Sequence, residues 1–595
     1  MKRLLTVFLS FALCLSAACF AQAEQPLSGT YVGEAQGMKA PVKVAVTLND
    51  GAIEKVEVLE SGDTTGVGEY AYEVLPARVV EAQSIAVDAV SGATVSSAAF
   101  RLACRNALSQ AGGDISAFTA APAAAETKEE KTLETDVVVV GAGMSGLTAA
   151  CSAVEEGASC IVLERLGVMG GSSQYSGSAM MAAGSYYNED AADQLEEMRE
   201  WIYQRYEGYT RRDLLEYVCD NSAAAVNWIS DMGIEFTLGV GGNSNLLNNG
   251  EGRMWSHRNK VSGCRGTLEA IWNKAEGLGA EMYLETPATE MLMNENGEVI
   301  GVKAESKDTV YTIYAKGGVV LACGGYEGND ELFAKYAAYS EREMRGTNGK
   351  SSAAGDQGDV FKFAEQVGAD IAVTGYGLAG YPETQIAANM TTMMKTGSNG
   401  HIDLTDRMTR YHDEVYGGYE KFKFDMIQAD SYYFYTLFDS TSLTEKMLEN
   451  LEKGVENGYI YKADTLEELS RMMLADGLDG NRMLVTVKDY NDFCENGTDL
   501  AFQRDAATME PIEDGPFYLA LDREVITGCW GGVKINTNAE VLDMDGNAIP
   551  GLYASGECAG GEYFYRDYVC GGTCLSFCAV MGRTGGQLAA QRAAQ

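Results

Sequence analysis

Asp136-Val-Val-Val-Val-Gly141-Ala-Gly143-Met-Ser-Gly146-Leu-Thr-Ala-Ala-Cys-Ser-Ala-Val-Glu-Glu-Gly-Ala-Ser-Cys-Ile161-Val-Leu-Glu164 decides the fold. Four consecutive valines with no polar interruption suit a strand buried on both faces, as in a parallel sheet. The three glycines form a GxGxxG turn that opens a helix of small residues, and a second apolar strand then ends in an acid. Glycine there permits a tight turn and lets a pyrophosphate approach the helix N-terminus. Glu164 stands 18 residues beyond Gly146, where a carboxylate can accept the ribose hydroxyls. The stretch predicts a dinucleotide-binding α/β domain.

Working outward, Gly170-Gly171-Ser172-Ser173-Gln-Tyr-Ser-Gly177 resembles the flavoprotein segment that lines the isoalloxazine and pyrophosphate. Ala322-Cys323-Gly324-Gly325 resembles the turn by which such proteins return to the dinucleotide. Gly551 to Gly556-Glu557 resembles their terminal FAD motif, with Glu557 reaching the ribityl chain, and Leu575 and Ser576 are assigned to the same cofactor. From Leu133 to Gln595 the chain resembles the flavoproteins of the fumarate reductase and succinate dehydrogenase family, in the exported branch that includes fumarate and urocanate reductases. Ser256-His257-Arg258, Gly355-Asp356-Gln-Gly358-Asp359 and Thr409-Arg410-Tyr411-His412-Asp413-Glu414 add to the likeness. The resemblance implies an α/β fold: an FAD-binding Rossmann-like domain (133–374 and 528–595) interrupted by an α+β capping domain (375–527).

The departures from that family bear on the substrate. Its proton-donating Arg aligns with Gly418, one substrate His with Gly380 or Tyr381, the other His with Gly528, and its late Arg falls near Val569, with Arg566 offset by three. The resemblance therefore predicts that fumarate is not bound in the family's manner. In its place stands Arg566-Asp567-Tyr568-Val-Cys-Gly571-Gly572, similar to flavin ketosteroid dehydrogenases, whose Tyr hydroxyl and Gly amide polarise a ketone. Hydride addition to a C=C bond conjugated with a carbonyl builds negative charge on that oxygen, which two preset donors, Tyr568 and Gly572, would stabilise. Arg566 could hold a carboxylate bidentately or pair with Asp567. Tyr416, Tyr419 and Tyr381 are the candidate proton donors. A dehydrogenase running the reaction backwards and a flavin carrier without its own substrate are the rival readings.

Upstream, residues 27–110 alternate like strands, with Val42 to Leu48 and Ile53 to Leu59 joined by Asn49-Asp50-Gly51, a hairpin signal. Helices are predicted over Tyr70 to Ala82 and Ala98 to Gln110. Between them lies Asp88-Ala-Val-Ser91-Gly92-Ala93-Thr94. Read locally it is a turn in which Ser91 or Thr94 caps the next helix. It also resembles the Asp-x-x-Ser-Gly-Ala-Thr motif of the FMN-binding domain family, which receives FMN covalently. That resemblance implies a small α+β FMN-binding domain, FMN on Thr94 and a flavin transferase to attach it. Residues 111–132, rich in Ala and charge, read as a linker.

Composition narrows the partners. Among 595 residues, 45 are basic and 85 acidic, a net charge of −40 that repels phosphate backbones and argues against nucleic acid. Three His and no CxxC pair leave little from which to build a metal or haem centre, so none is expected. Met1 to Ala23, with Lys2, Arg3, an apolar run and Ala21-Gln22-Ala23, reads as an export signal; Ser16-Ala17-Ala18-Cys19 allows a lipid anchor at Cys19. The expected protein is thus extracytoplasmic, takes an unsaturated carbonyl substrate and receives electrons from an external, membrane-linked donor. The remaining cysteines read as buried thiols.

Overall fold

The computed structural model describes residues 27–595 except 38–39, 64–67, 91, 122–127, 207, 239–254, 261–262, 337–348, 351–352, 383–399, 415–424, 427, 430, 432, 441–444, 457, 459 and 566–570. The chain divides into two compact units, Met1–Glu126 and Thr127–Gln595. In the first, β1 (Gly29–Gln36), β2 (Pro41–Asn49) and β3 (Ala52–Glu60) form an antiparallel sheet in that order. The β2–β3 turn has φ 50° at Asp50 and 81° at Gly51, the left-handed pair that matches strand twist in a two-residue hairpin. Val42, Val44, Val46 and Leu48 are buried beneath α1 (Gly68–Ala82) and α2 (Thr94–Leu108). Helix α2 begins four residues before the predicted start. Its N-cap is Ala93, with no side-chain cap bond, so Thr94 is the first helical residue and not the cap.

In the second unit, β4 (Glu129–Val140) leads through α3 (Met144–Glu155) to β5 (Cys160–Leu163). Strand β4 pairs in parallel with β5 and with β6 (Thr309–Leu321), at the centre of an eight-stranded sheet. The four valines, 137 to 140, are all buried, as their uninterrupted run required.

A six-stranded sheet includes β7 (Ile371–Pro382), β8 (His401–Thr405), β9 (Phe434–Phe438) and β10 (Phe517–Val533). Its helices Leu466–Ala475 and Gly480–Asn496 cover one core, built from Leu469, Met473, Met483 and Leu519. Both expected edges of the cap fall inside strands: β7 pairs antiparallel with β10, Gly375 opposite Trp530 and Gly377 opposite Gly528. Strand β11 (Ala548–Ala554) then joins β6 in parallel, and α4 (Thr573–Ala593) closes the unit against α3. Among the described residues no helix is long and apolar enough to cross a membrane, and every described cysteine is a free thiol.

The Thr409-to-Glu414 segment anchors the cap. Arg410 binds Glu414 bidentately, both contacts 2.7 Å, and Asp499 at 2.9 Å; Arg504 reaches Glu414 at 3.1 Å. His412 meets Asp403 at 3.0 Å, a structural place and not an acid-base one. Burial opposes ionisation of Glu414, but its bonds to Arg410 and the charges of Arg410 and Arg504 outweigh it, holding the carboxyl below its ordinary value. A depressed pKa adds stability that is present above the unfolded value and lost as pH falls through the folded one. Glu414→Ala, which leaves Arg410 with Asp499 alone and Arg504 with the His401 and Thr508 carbonyls, should cost about 3 kcal/mol, the lower end for breaking a buried pair. Denaturant unfolding measures this, and the wild-type cap should lose the contribution below about pH 4.

Candidate flavin sites

The glycine loop at the end of β4 is built by close backbone approach. A Cβ at Gly146 would lie 1.8 Å from the Gly141 carbonyl oxygen, and one at Gly141, where φ is +108°, 2.1 Å from that of Ala322. Gly143 is the extended N-cap of α3, and the Met144 N–H of the first turn donates to the Ser173 hydroxyl at 3.2 Å. After β5, the Glu164 carboxylate accepts from the Ala142 N–H at 2.9 Å and the Leu166 N–H at 2.7 Å. It is therefore tied across the loop it was expected to serve.

Other expected dinucleotide residues surround this loop. Gly170 donates its N–H to the Ala142 carbonyl at 2.8 Å, and Gly171 begins a short 3-10 turn that carries Ser172. Ser172 hydrogen-bonds Asp356, and its hydroxyl accepts from the Ala353 N–H at 2.6 Å. Gly177 lies beside the Arg258 guanidinium. Gly324 and Gly325 face Asp356 and Glu327: a Cβ on either would reach a carboxylate oxygen at 1.9 and 2.3 Å. Glu557 completes a group in which carboxylate oxygens of Glu327, Asp356 and Glu557 all lie within 4.8 Å of one another. Burial, then the charges of Glu327 and Asp356, push the Glu557 carboxyl well above its ordinary value, and burial raises Asp356 as well. Sequence reading passed over Glu327 and gave Asp356 no role; their signal was position, two residues after Gly325 and within Gly355-Asp356-Gln-Gly358.

The expected contacts on α4 are placed at its start. The Ser576 hydroxyl accepts from the Met181 N–H at 2.8 Å and donates to its carbonyl at 3.0 Å, pinning α4 to the Met180–Met181 strand, and Leu575 is buried. His257 is buried between Ser185, 2.6 Å from Nε2, and the Trp255 carbonyl, 2.9 Å from Nδ1. Burial drives its pKa down to about 4, so it is neutral.

In the N-terminal unit, Thr94 is exposed in the first turn of α2. The neighbouring hydroxyls are occupied: Ser96 donates to Asp63 at 2.8 Å, and Ser97 accepts from the Val90 N–H at 3.0 Å. Both serines are buried, at 3% and 0% exposure, which leaves Thr94 the accessible hydroxyl of the three.

The family model described as FAD binding domain matches residues 136–573, and the FMN-binding domain model matches residues 37–109. The chain belongs to this FAD-binding flavoprotein family. It is 30% identical over 553 residues to a urocanate reductase of Eggerthella lenta, covering 89% of this chain and 87% of that one. An NADH:acrylate oxidoreductase of Vibrio harveyi is 26% identical over 94% of this chain, which spans 61% of its length. The open conformation of a flavocytochrome c3 fumarate reductase shares the fold, with a TM-score of 0.61 and 24% identity over 78% of this chain and 79% of that one. The protein is an FAD-dependent oxidoreductase whose cofactors are FAD and FMN.

The residues present fit FAD. The close backbone approach at Gly141 and Gly146 before α3 suits a pyrophosphate, and Glu164 and Glu557 stand where the resemblance expects the ribose and ribityl contacts. Burial pushes the Glu164 carboxyl up to about 7, against the downward pull of the Leu166 and Ala142 N–H bonds. Ribose hydroxyl donors favour the ionised form, so binding releases a proton. FAD affinity of the apoprotein should accordingly rise from pH 6 to about pH 8 and then level off. Glu164→Gln should flatten that profile in a fluorescence titration.

Of the catalytic candidates, Arg566 and Tyr568 lie outside the described residues, as do Tyr416 and Tyr419. Tyr381 is placed by its backbone alone, in β7 opposite Arg523. Gly572, the N-cap of α4 with φ +106°, packs so that a Cβ would lie 2.8 Å from the Met180 backbone. Gly528 is where the resemblance expects the family's second substrate His. A Cβ there would meet Glu557 Oε1 at 2.5 Å and the Trp530 ring at 3.3 Å, so an imidazole has no room unless Glu557 moves.

Proposed function

We propose that this flavoprotein reduces the C=C bond of an α,β-unsaturated acid or ketone other than fumarate, with electrons arriving through FMN carried on Thr94. The observation that carries the reading is Gly528. The resemblance places a dicarboxylate-binding His at this position, and a glycine there offers a second substrate carboxylate no imidazole partner. Bound FAD supplies the hydride to the β-carbon. The chain's own groups do the rest: Tyr568 and the Gly572 amide donate to the carbonyl oxygen as it gains charge, and Arg566 fixes a carboxylate where the substrate has one. A tyrosine of the cap, Tyr416, Tyr419 or Tyr381, gives the α-carbon its proton.

The relatives' names, urocanate reductase and NADH:acrylate oxidoreductase, support the reaction class. Met1 to Ala23 supports export, with a flavin transferase loading the FMN and a membrane-linked donor reducing it. The test is anaerobic: reduce the purified protein, add urocanate, acrylate, fumarate and a set of enones, and follow flavin reoxidation. Reoxidation by a monoacid or enone and not by fumarate is expected. Silence from the whole panel, or preference for fumarate, overturns the proposal. Reduction of the oxidised protein by a saturated ketone would reverse its direction.

A further inference from the structure

We infer that Asp63 is the positioning residue that fixes how Thr94 is presented for flavin attachment, acting through Ser96; the inference rests on Thr94 being the attachment site. Asp63 follows β3 and is 5% exposed. One of its oxygens, Oδ2, accepts both from the Ser96 hydroxyl at 2.8 Å and from the Tyr72 hydroxyl at 2.9 Å. Ser96 lies in the first turn of α2, two residues after Thr94, while Tyr72 lies on α1. The carboxylate is enclosed where other residues lack side chains. A Cβ at Gly37, just past β1, would come within 2.7 Å of Oδ2, and one at Gly68, the first residue of α1, within 2.8 Å of Cγ.

Enclosing a carboxylate is costly unless its bonds replace water, and here they tie the segment after β3 to α1 through Tyr72 and to the start of α2 through Ser96. The start of α2 needs such a tie because Ala93 gives it no side-chain cap. Ser97, bonded to the Val90 N–H at 3.0 Å, holds the loop before it. Ser96 on Asp63 holds the turn that carries Thr94, and negative charge near two helix N-termini is favourable.

Attachment demands this order. The Thr94 oxygen forms a bond to the flavin-side phosphorus of FAD, the pyrophosphate P–O bond breaks and AMP leaves. The hydroxyl proton passes to a base of the transferase, and nothing is oxidised or reduced. The attacking oxygen must stand in line with the departing one, so a first turn that wanders slows the step.

The test uses the full chain with a flavin transferase and FAD, reading protein-bound FMN after acid precipitation over time. Ser96→Ala and Asp63→Ala should slow incorporation about tenfold, the scale of losing one charge-assisted hydrogen bond. Tyr72→Phe removes the other bond to the same oxygen but leaves α2 tied, and should stay within about twofold. Thermal unfolding of each variant is measured alongside, and Ser96→Ala decides the matter if Asp63→Ala does not fold. Equal slowing in all three, tracking lost stability, would mean a structural role only and overturn the inference, as would unchanged incorporation in Ser96→Ala. Retention of covalent FMN by Thr94→Ala would instead refute the attachment site itself.

Discussion

Gly146→Ala should yield a protein that folds its N-terminal unit but retains no FAD through gel filtration, with the second unit destabilised by more than about 4 kcal/mol. The added Cβ would stand 1.8 Å from the Gly141 carbonyl oxygen and 3.2 Å from Val139 Cγ1. Backbone cannot swing aside as a side-chain tip can, so α3 would have to back away from β4. It has nowhere to go. On its other side α4 crosses just as closely, with a Cβ at Gly582 reaching Thr148 Oγ1 at 2.2 Å and one at Gly586 the Ala149 carbonyl at 2.1 Å. Moving α3 also moves the N-terminus that meets the pyrophosphate, so cofactor and stability fall together. Gly157→Ala is the control: its φ is +86°, but nothing lies within 4 Å of a Cβ there. That change carries only the backbone strain, about 1 kcal/mol, and should keep FAD. Urea unfolding and the flavin-to-protein absorbance ratio separate the two cases. If Gly146→Ala retained FAD, the close approach would not be what builds the site.

What the sequence exposed and what it hid divide along physical lines. Glycine spacing encodes how near two backbones come, so the loop from Gly141 to Gly146 and its buried strand were readable directly. The start of α2 was not readable: Ser-Gly-Ala-Thr has turn propensity, and the Ser96–Asp63 and Ser97–Val90 side-chain bonds, with the Ser97 N–H to the Ala93 carbonyl, hold the turn helical from Thr94. Contacts between distant segments leave no local mark. Ser172 and Asp356 lie 184 residues apart, and no periodicity in either segment announces the other. The Ser576 hydroxyl bonds Met181, 395 residues away, and nothing in either segment's sequence announces that tie. The edges expected for the cap fall inside β7 and β10, which run on unbroken past them, and an unbroken strand shows no composition shift.

Thr94→Ala should abolish covalent FMN altogether, because one hydroxyl is the whole difference between an acceptor and a bystander. Ser96 and Ser97 cannot replace it, since both are buried and each already serves a bond, to Asp63 and from Val90. Thr94 is exposed at the first position of α2 and caps nothing, so the variant should unfold within about 0.5 kcal/mol of wild type. Acid-precipitated variant should then show no flavin fluorescence and the mass of the bare chain, while FAD in the second unit stays at full occupancy. The functional consequence separates the two cofactors. Substrate reduction driven by an external electron donor should fall to background, whereas chemically reduced variant should still turn over one substrate per FAD at the wild-type rate. Thr94→Ser keeps the nucleophile with one methyl fewer, and should recover part of both the attachment and the donor-driven rate. If the alanine variant kept its donor-driven turnover, electrons would be entering the FAD directly, and the N-terminal unit would have to be given some role other than their inlet.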